Sequence, residues 1–261
     1  MVWGGGLLAK WGVLDFAGGI VVHAIAGFAA LASVIYVGKR RDTTNTPNSV
    51  PLIALGTGLL WFGWYGFNAG SALDVNAITG QAFLNTDIAA SFAAVTWMII
   101  EWSRAKKPKF VGLLTGAVAG LATITPAAGY VSLQWAVFIG IASGIVCYIA
   151  VDLKNRMKWD DALDVWGVHG MGGVLGTILL GVFASTTINP AGANGLIYGG
   201  SDFFMKETLA TIGAAIYGFV FTYVMLFIIN KITKVRVSDH EEDAGLDESL
   251  HGESAYDSGV F

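Results

Sequence analysis

Apolar residues run along this chain in long blocks divided by short polar ones, and the blocks set the first expectation. Stretches at roughly 14–38, 51–73, 84–102, 110–128, 132–152, 161–185 and 207–230 are apolar and long. Each approaches or exceeds the approximately 20 residues that a helix needs to cross a hydrocarbon core of about 30 Å. The interruptions are rich in charge, Gly, Pro or Asn, which marks them as loops. The pattern predicts an all-α polytopic membrane protein with seven transmembrane helices. Composition agrees: 54% of the 261 residues are hydrophobic and 13% charged, where a soluble domain carries about 25% charged residues. Met1 to Gly6 lacks the basic and apolar regions of a signal peptide, and the single Cys147 excludes a disulfide within the chain.

Charge gives the orientation. Of the 15 basic residues, 13 fall after the first, third, fifth and seventh predicted helices, leaving only Lys10 and Lys206 on the other side. Basic loops stay in the cytoplasm, so the N-terminus is expected outside and the C-terminus in the cytoplasm. The net charge of −4 reflects a tail, 237–261, that holds eight of the 19 acids. The chain therefore divides into a membrane domain, 1–236, and a cytoplasmic tail, 237–261. Nothing in this balance suggests a nucleic-acid partner; the expected surroundings are a lipid bilayer.

Glycines recur at four-residue spacing, as at Gly112, Gly116 and Gly120 and at Gly140 and Gly144. Small residues at that interval let helix backbones approach closely in lipid. A second pattern is an internal match. Asp15 precedes His23 by eight residues and Asp161 precedes His169 by eight, and each His is followed four residues later by Gly27 or Gly173. The copies fall on the first and sixth predicted helices, so the two host helices run in opposite directions, as in an inverted-topology repeat with its substrate site near the midplane. A five-helix repeat would leave the first unit represented by its last helix alone, with about four helices expected upstream of Met1.

Ionisable residues inside membrane spans are costly and face cavities or the bundle interior. From the predicted helix ends, His23 and His169 each lie roughly 13 Å deep, near the midplane of a 30 Å core. Two other readings stand beside a shared site: histidines that merely satisfy backbone carbonyls, and a bis-histidine haem site. Leu60, Trp64, Phe67 and Ser71 lie on one face of the second helix. With Trp3 in the leader they form a candidate outer cation site, since aromatic faces attract cations and a hydroxyl accepts from an N–H donor. Asp15 and Asp161 are placed to accept from free N–H groups at helix starts.

Three segments carry a family resemblance: Leu14-Asp15-Phe16-Ala17-Gly18-Gly19 with His23, Gly66-Phe67-Asn68-Ala69-Gly70-Ser71, and Asp164-Val165-Trp166-Gly167-Val168-His169-Gly170. They closely resemble the signature segments of the ammonium transporter family, and Gly245 to Tyr256 resembles its cytoplasmic C-terminus. The resemblance implies part of an inverted-repeat eleven-helix fold and passage of ammonium or ammonia, with no cofactor and no enzymatic reaction. It implies that His23 and His169 are paired pore histidines, that Trp3 and Ser71 recruit ammonium, and that Phe67 belongs to a gate. Val22, Leu60, Trp64 and Val165 would line the dry pore, and Asp15 and Asp161 would hold its mouths in shape. It further implies a homotrimer in the cell membrane with a PII-type signal protein as partner of the tail. An ammonium sensor with little flux and a non-conducting fragment are the competing readings.

Overall fold

The computed structural model describes residues 1–44 and 46–254. Every regular element among them is helical. A short helix, α1 (Leu7–Trp11), precedes a π-helical turn (Gly19–Ala24) that continues into α2 (Ile25–Val37). Next come α3 (Val50–Gly70), α4 (Ala77–Ala105), α5 (Phe110–Ile124) and α6 (Leu133–Arg156). A second π-helical turn (Trp166–Gly170) leads into α7 (Met171–Phe183), and α8 (Ser201–Ile232) and α9 (Asp239–Ala244) follow.

Local sequence explains where several helices start. Ser49 accepts from the N–H of Leu52, with Pro51 in the first turn of α3, where a missing N–H costs nothing. Asn76 and Thr79 form a reciprocal capping box at the start of α4.

Six helical runs are long and apolar enough to cross a membrane, but α5, with 15 residues, is shorter than the expected 110–128. Its length of about 22 Å falls short of the core. Pro126 has no N–H with which to continue the hydrogen-bond ladder, so regular structure stops at Ile124 although Thr125 keeps a helical backbone. The chain then turns inside the protein, with Thr125, Ala127, Ala128 and Val131 fully buried. Non-helical backbone is tolerated at such depth only with its polar groups satisfied. Asn85 on α4 does this, donating to the carbonyls of Ala128 and Val131, both at 2.8 Å.

The spaced glycines do what their interval suggests. Ala89 and Ala93 of α4 lie between Gly120 of α5 and Gly140 and Gly144 of α6, at distances where an added Cβ would meet α4 at under 3 Å. α8 covers α2 and α7 and turns an apolar face outward through Ile212, Ile216, Val220 and Phe221, as a surface in contact with lipid requires.

Candidate functional site

The two Asp…His segments fold alike. The helices start later than the expected 14 and 161, so Asp15 and Asp161 stand four and five residues before the first helical turn. Asp15 still caps it: its carboxylate accepts from the N–H groups of Gly18, Gly19, Ile20 and Val21 at 2.6–3.2 Å. Asp161 accepts from Trp166 N at 2.8 Å. Three residues after each acid the backbone takes a positive φ, +122° at Gly18 and +56° at Asp164. That bend frees a run of N–H groups to face the acid, and the chain enters a π-helical turn carrying the histidine. Such turns are rare and concentrate at functional sites.

The repeats then cross. An added Cβ on Gly27 would lie 2.1 Å from Gly170 Cα, and one on Gly173 would lie 2.6 Å from Ala24 N. Gly27 and Gly173 are the residues four beyond each histidine, and Ala24 and Gly170 the residues one beyond, so the two contacts are mirror versions of one another. This close crossing brings His23 Nδ1 to 3.2 Å from His169 Nδ1, with ring centroids 5.2 Å apart. Trans-axial ligation of a haem iron by two imidazoles needs two bonds of about 2 Å on opposite sides of the metal, hence nitrogens roughly 4 Å apart. The bis-histidine haem alternative does not fit this contact.

Thr125, at the broken end of α5, joins the group without any signal in the sequence beyond a Thr-Pro step closing an apolar helix. Its hydroxyl donates to Leu121 O at 2.7 Å. With that hydrogen committed it accepts from Trp64 Nε1 at 3.0 Å and lies 3.3 Å from His23 Nε2. His23 Nε2 is therefore the protonated nitrogen and His23 Nδ1 the acceptor. His169 Nδ1 donates across the pair, leaving the lone pair of the neutral ring on His169 Nε2. Trp64 stacks on His23 with centroids 5.2 Å apart, and Phe67 lies 6.2 Å from the same ring.

The expected lining residues Val22, Leu60, Trp64 and Val165 and the expected gate residue Phe67 meet both histidines around one apolar cavity of about 560 Å³. It is a groove: Leu59 is 65% exposed and Leu60 48% on its open side. Trp3 and Ser71 meet at a second cavity of about 620 Å³, with Asp15, Tyr130 and Asn189. Phe67 O accepts the Ser71 hydroxyl hydrogen at 2.8 Å, so the lone pairs on Ser71 Oγ remain to accept from a ligand. Phe67 thus lines the first cavity and, through its carbonyl, holds the Ser71 hydroxyl at the second. On the side of Asp161 the sequence reading missed Lys154, assigned to a loop but buried near the end of α6. Its ammonium donates to Asp161 O at 2.9 Å and pairs with Asp164 at 2.6 Å, tying α6 to the second π-helical turn.

Of the tail, 255–261 lie outside the described residues, which includes Ala255 and Tyr256 of the expected C-terminal motif. The remainder folds back on the loop after α2. Arg41 pairs with Asp239 and Asp243 and donates its backbone N–H to Glu242 at 2.6 Å, while Arg236 pairs with Glu242 at 2.8 Å.

Residues 1–256 match the model of the Ammonium Transporter Family. The chain is 48% identical to an ammonium transporter of Aquifex aeolicus, over 98% of this chain and 60% of that protein. Among solved structures it resembles Mep2 of Candida albicans, at 39% identity and a TM-score of 0.87 over 92% of this chain and 56% of that one. It also resembles a structure described as a sensor Amt protein, at 34% identity and a TM-score of 0.85 over 95% of this chain and 64% of that one. The chain spans about three-fifths of the length of the proteins it matches.

Proposed function

This chain belongs to the ammonium transporter family, and as such a member we propose that it forms the histidine-bearing part of a pore carrying ammonia-derived nitrogen across a membrane. The observation that supports this most directly is the Nδ1 to Nδ1 contact of 3.2 Å between His23 and His169, set in a groove whose other walls are apolar. Ammonium is drawn to the outer cavity by the Trp3 ring face, and Ser71 accepts one of its N–H groups. Beyond the outer cavity the aromatic walls at Phe67 disfavour the charged species, so the cation leaves its proton with the water of the outer cavity before it passes. Neutral ammonia then passes the imidazoles, which are the polar groups on an otherwise dry path. Asp15 and Asp161 hold the mouths in shape through their bonds to backbone N–H groups.

The test is transport. In cells stripped of their own ammonium transport, His23→Ala and His169→Ala should each reduce methylammonium uptake by about tenfold or more, as loss of a buried hydrogen-bonding partner of about 1–3 kcal/mol requires. Wild-type uptake in both variants would remove the proposed role. The apolar groove open along Leu59 and Leu60 becomes a pore when another surface covers it; the resemblance to the family supports a homotrimer in the cell membrane. The tail, 237–261, is its cytoplasmic regulatory element and the docking point of a PII-type protein; deleting 245–261 changes rate or regulator binding. A second reading, ammonium sensing with little flux, draws on the likeness to the sensor Amt structure. Ammonium binding without uptake in the same cells would favour it.

A further inference from the structure

We infer that Glu207 on α8 is a positioning residue for the outer cation site, acting through Leu14 and Asp15 on Trp3. Glu207 is fully buried, and it is an acid inside a membrane-spanning helix. A carboxyl group there is expensive and calls for a function. Its Oε1 accepts the N–H of Leu14 at 2.6 Å, 193 residues away in sequence. The next residue, Asp15, accepts the Trp3 indole N–H on its backbone carbonyl at 2.8 Å. The Asp15 carboxylate meanwhile takes the N–H groups of Gly18 to Val21. One dipeptide, Leu14-Asp15, is thus fixed at three points: by α8 behind it, by the first π-helical turn beside it, and by Trp3 in front.

Trp3 needs such a hold. It is 49% exposed, and its hydrogen bond to Asp15 sets which face the ring turns toward Ser71 and the outer cavity. The Asp15 carbonyl shares its peptide plane with the Phe16 N–H, which donates to Pro126 O at 3.1 Å, and the bond from Leu14 to Glu207 anchors the chain two planes before it. The second carboxyl oxygen of Glu207 is buried and has no hydrogen-bond partner among the described residues. It costs free energy and contributes nothing to packing that an apolar side chain would not supply. What Glu207 adds is one directed acceptor from the last long helix to the outer mouth.

This inference rests on the reading of Trp3 and Ser71 as the outer ammonium site, and the experiment separates the two. Half-saturation and maximal rate of methylammonium uptake would be measured for the complete transporter carrying Glu207→Leu, Glu207→Gln, Glu207→Asp, Trp3→Leu, or Trp3→Leu with Glu207→Leu, with membrane abundance measured in parallel. Glu207→Leu should raise the half-saturation concentration about tenfold with the maximal rate within about twofold, the mark of lost binding rather than lost passage. Glu207→Gln keeps an acceptor for Leu14 and should restore the wild-type value. The double variant should be no worse than Trp3→Leu alone, because the two act in series. If Glu207→Leu does not reach the membrane, Glu207→Asp, too short to span the 2.6 Å bond, carries the test with the same expected shift. An unshifted half-saturation in Glu207→Leu or Glu207→Asp while Trp3→Leu is shifted overturns the inference alone, as does full additivity in the double variant. An unshifted Trp3→Leu overturns the outer-site reading and the inference with it.

Discussion

Thr125 connects three side chains that the sequence presents as separate: Trp64 on α3, His23 in the first π-helical turn, and through it His169. Because its single hydrogen goes to Leu121, it fixes the direction of every hydrogen bond downstream. Thr125→Val keeps the shape but leaves the Trp64 and His23 donors facing a methyl group, at about 1–3 kcal/mol for each buried unpaired group. Uptake should fall about tenfold, and Thr125→Ser, which restores the hydroxyl, should recover most of it. Nitrogen NMR of the ring atoms gives an independent check: the wild-type protein should show protons on His23 Nε2 and His169 Nδ1, and Thr125→Val should mix the forms. The same reasoning bears on Lys154. Its removal as Lys154→Met leaves Asp164 without its cation and Asp161 O without its donor, so the second mouth should lose order while the first keeps its own.

At the scale of elements, the mirror contacts of Gly27 with Gly170 and of Gly173 with Ala24 decide how deeply the two repeats interlock. Gly27→Ala and Gly173→Ala would each force backbone against backbone at 2.1 and 2.6 Å. Overpacking of this kind costs about 1–3 kcal/mol or more. Gly56 on α3 has nothing within 4 Å of an added Cβ. There the same change should be neutral or stabilising by up to about 1 kcal/mol through helix propensity. Thermal denaturation in detergent should rank the three variants with Gly56→Ala at or above wild type and the other two well below it. A melting point for Gly27→Ala equal to that of Gly56→Ala would show that the helices separate without cost. The histidine contact would then not depend on the crossing.

Over the whole molecule, two features await their surroundings. The groove beside the histidines has an exposed apolar side, and a path open to lipid on one flank cannot select a solute. Liposomes carrying these 261 residues alone should therefore show no ammonium-driven pH change above empty liposomes, and selective conduction by the short chain would refute the need for a covering surface. The tail is the second feature. The Arg41 N–H, followed by Arg236, holds the Glu242 carboxyl below its usual range, and Ser238 does the same for Glu241. A carboxylate depressed in the docked state favours docking above its ordinary pKa near 4.5 and loses that contribution as pH falls through the depressed value. Protection against hydrogen exchange over 237–254, taken relative to the intrinsic rate at each pH, should accordingly be high at neutral pH and fall below about pH 4. Equal protection at both pH values would mean that these contacts do not order the tail.

Composition and spacing were enough for part of this architecture. Long apolar blocks have to become helices because no other open-ended structure satisfies its backbone in lipid, and glycines four apart have to lie on one helix face. The eight-residue spacing from acid to histidine was visible twice, as was the stripe from Leu60 to Ser71 that does line the two cavities. Tertiary structure decided the rest. The 261 residues as a string do not reveal that Pro126 would cut α5 short and turn Thr125 toward His23. Nor do they show that Lys154 would leave its basic cluster for Asp161, or that Glu207 would reach Leu14. In each case the partners are far apart in sequence, and a polar side chain buried at low dielectric takes whichever partner the packing delivers. Periodicity records which face of a helix is buried and is silent about what stands opposite.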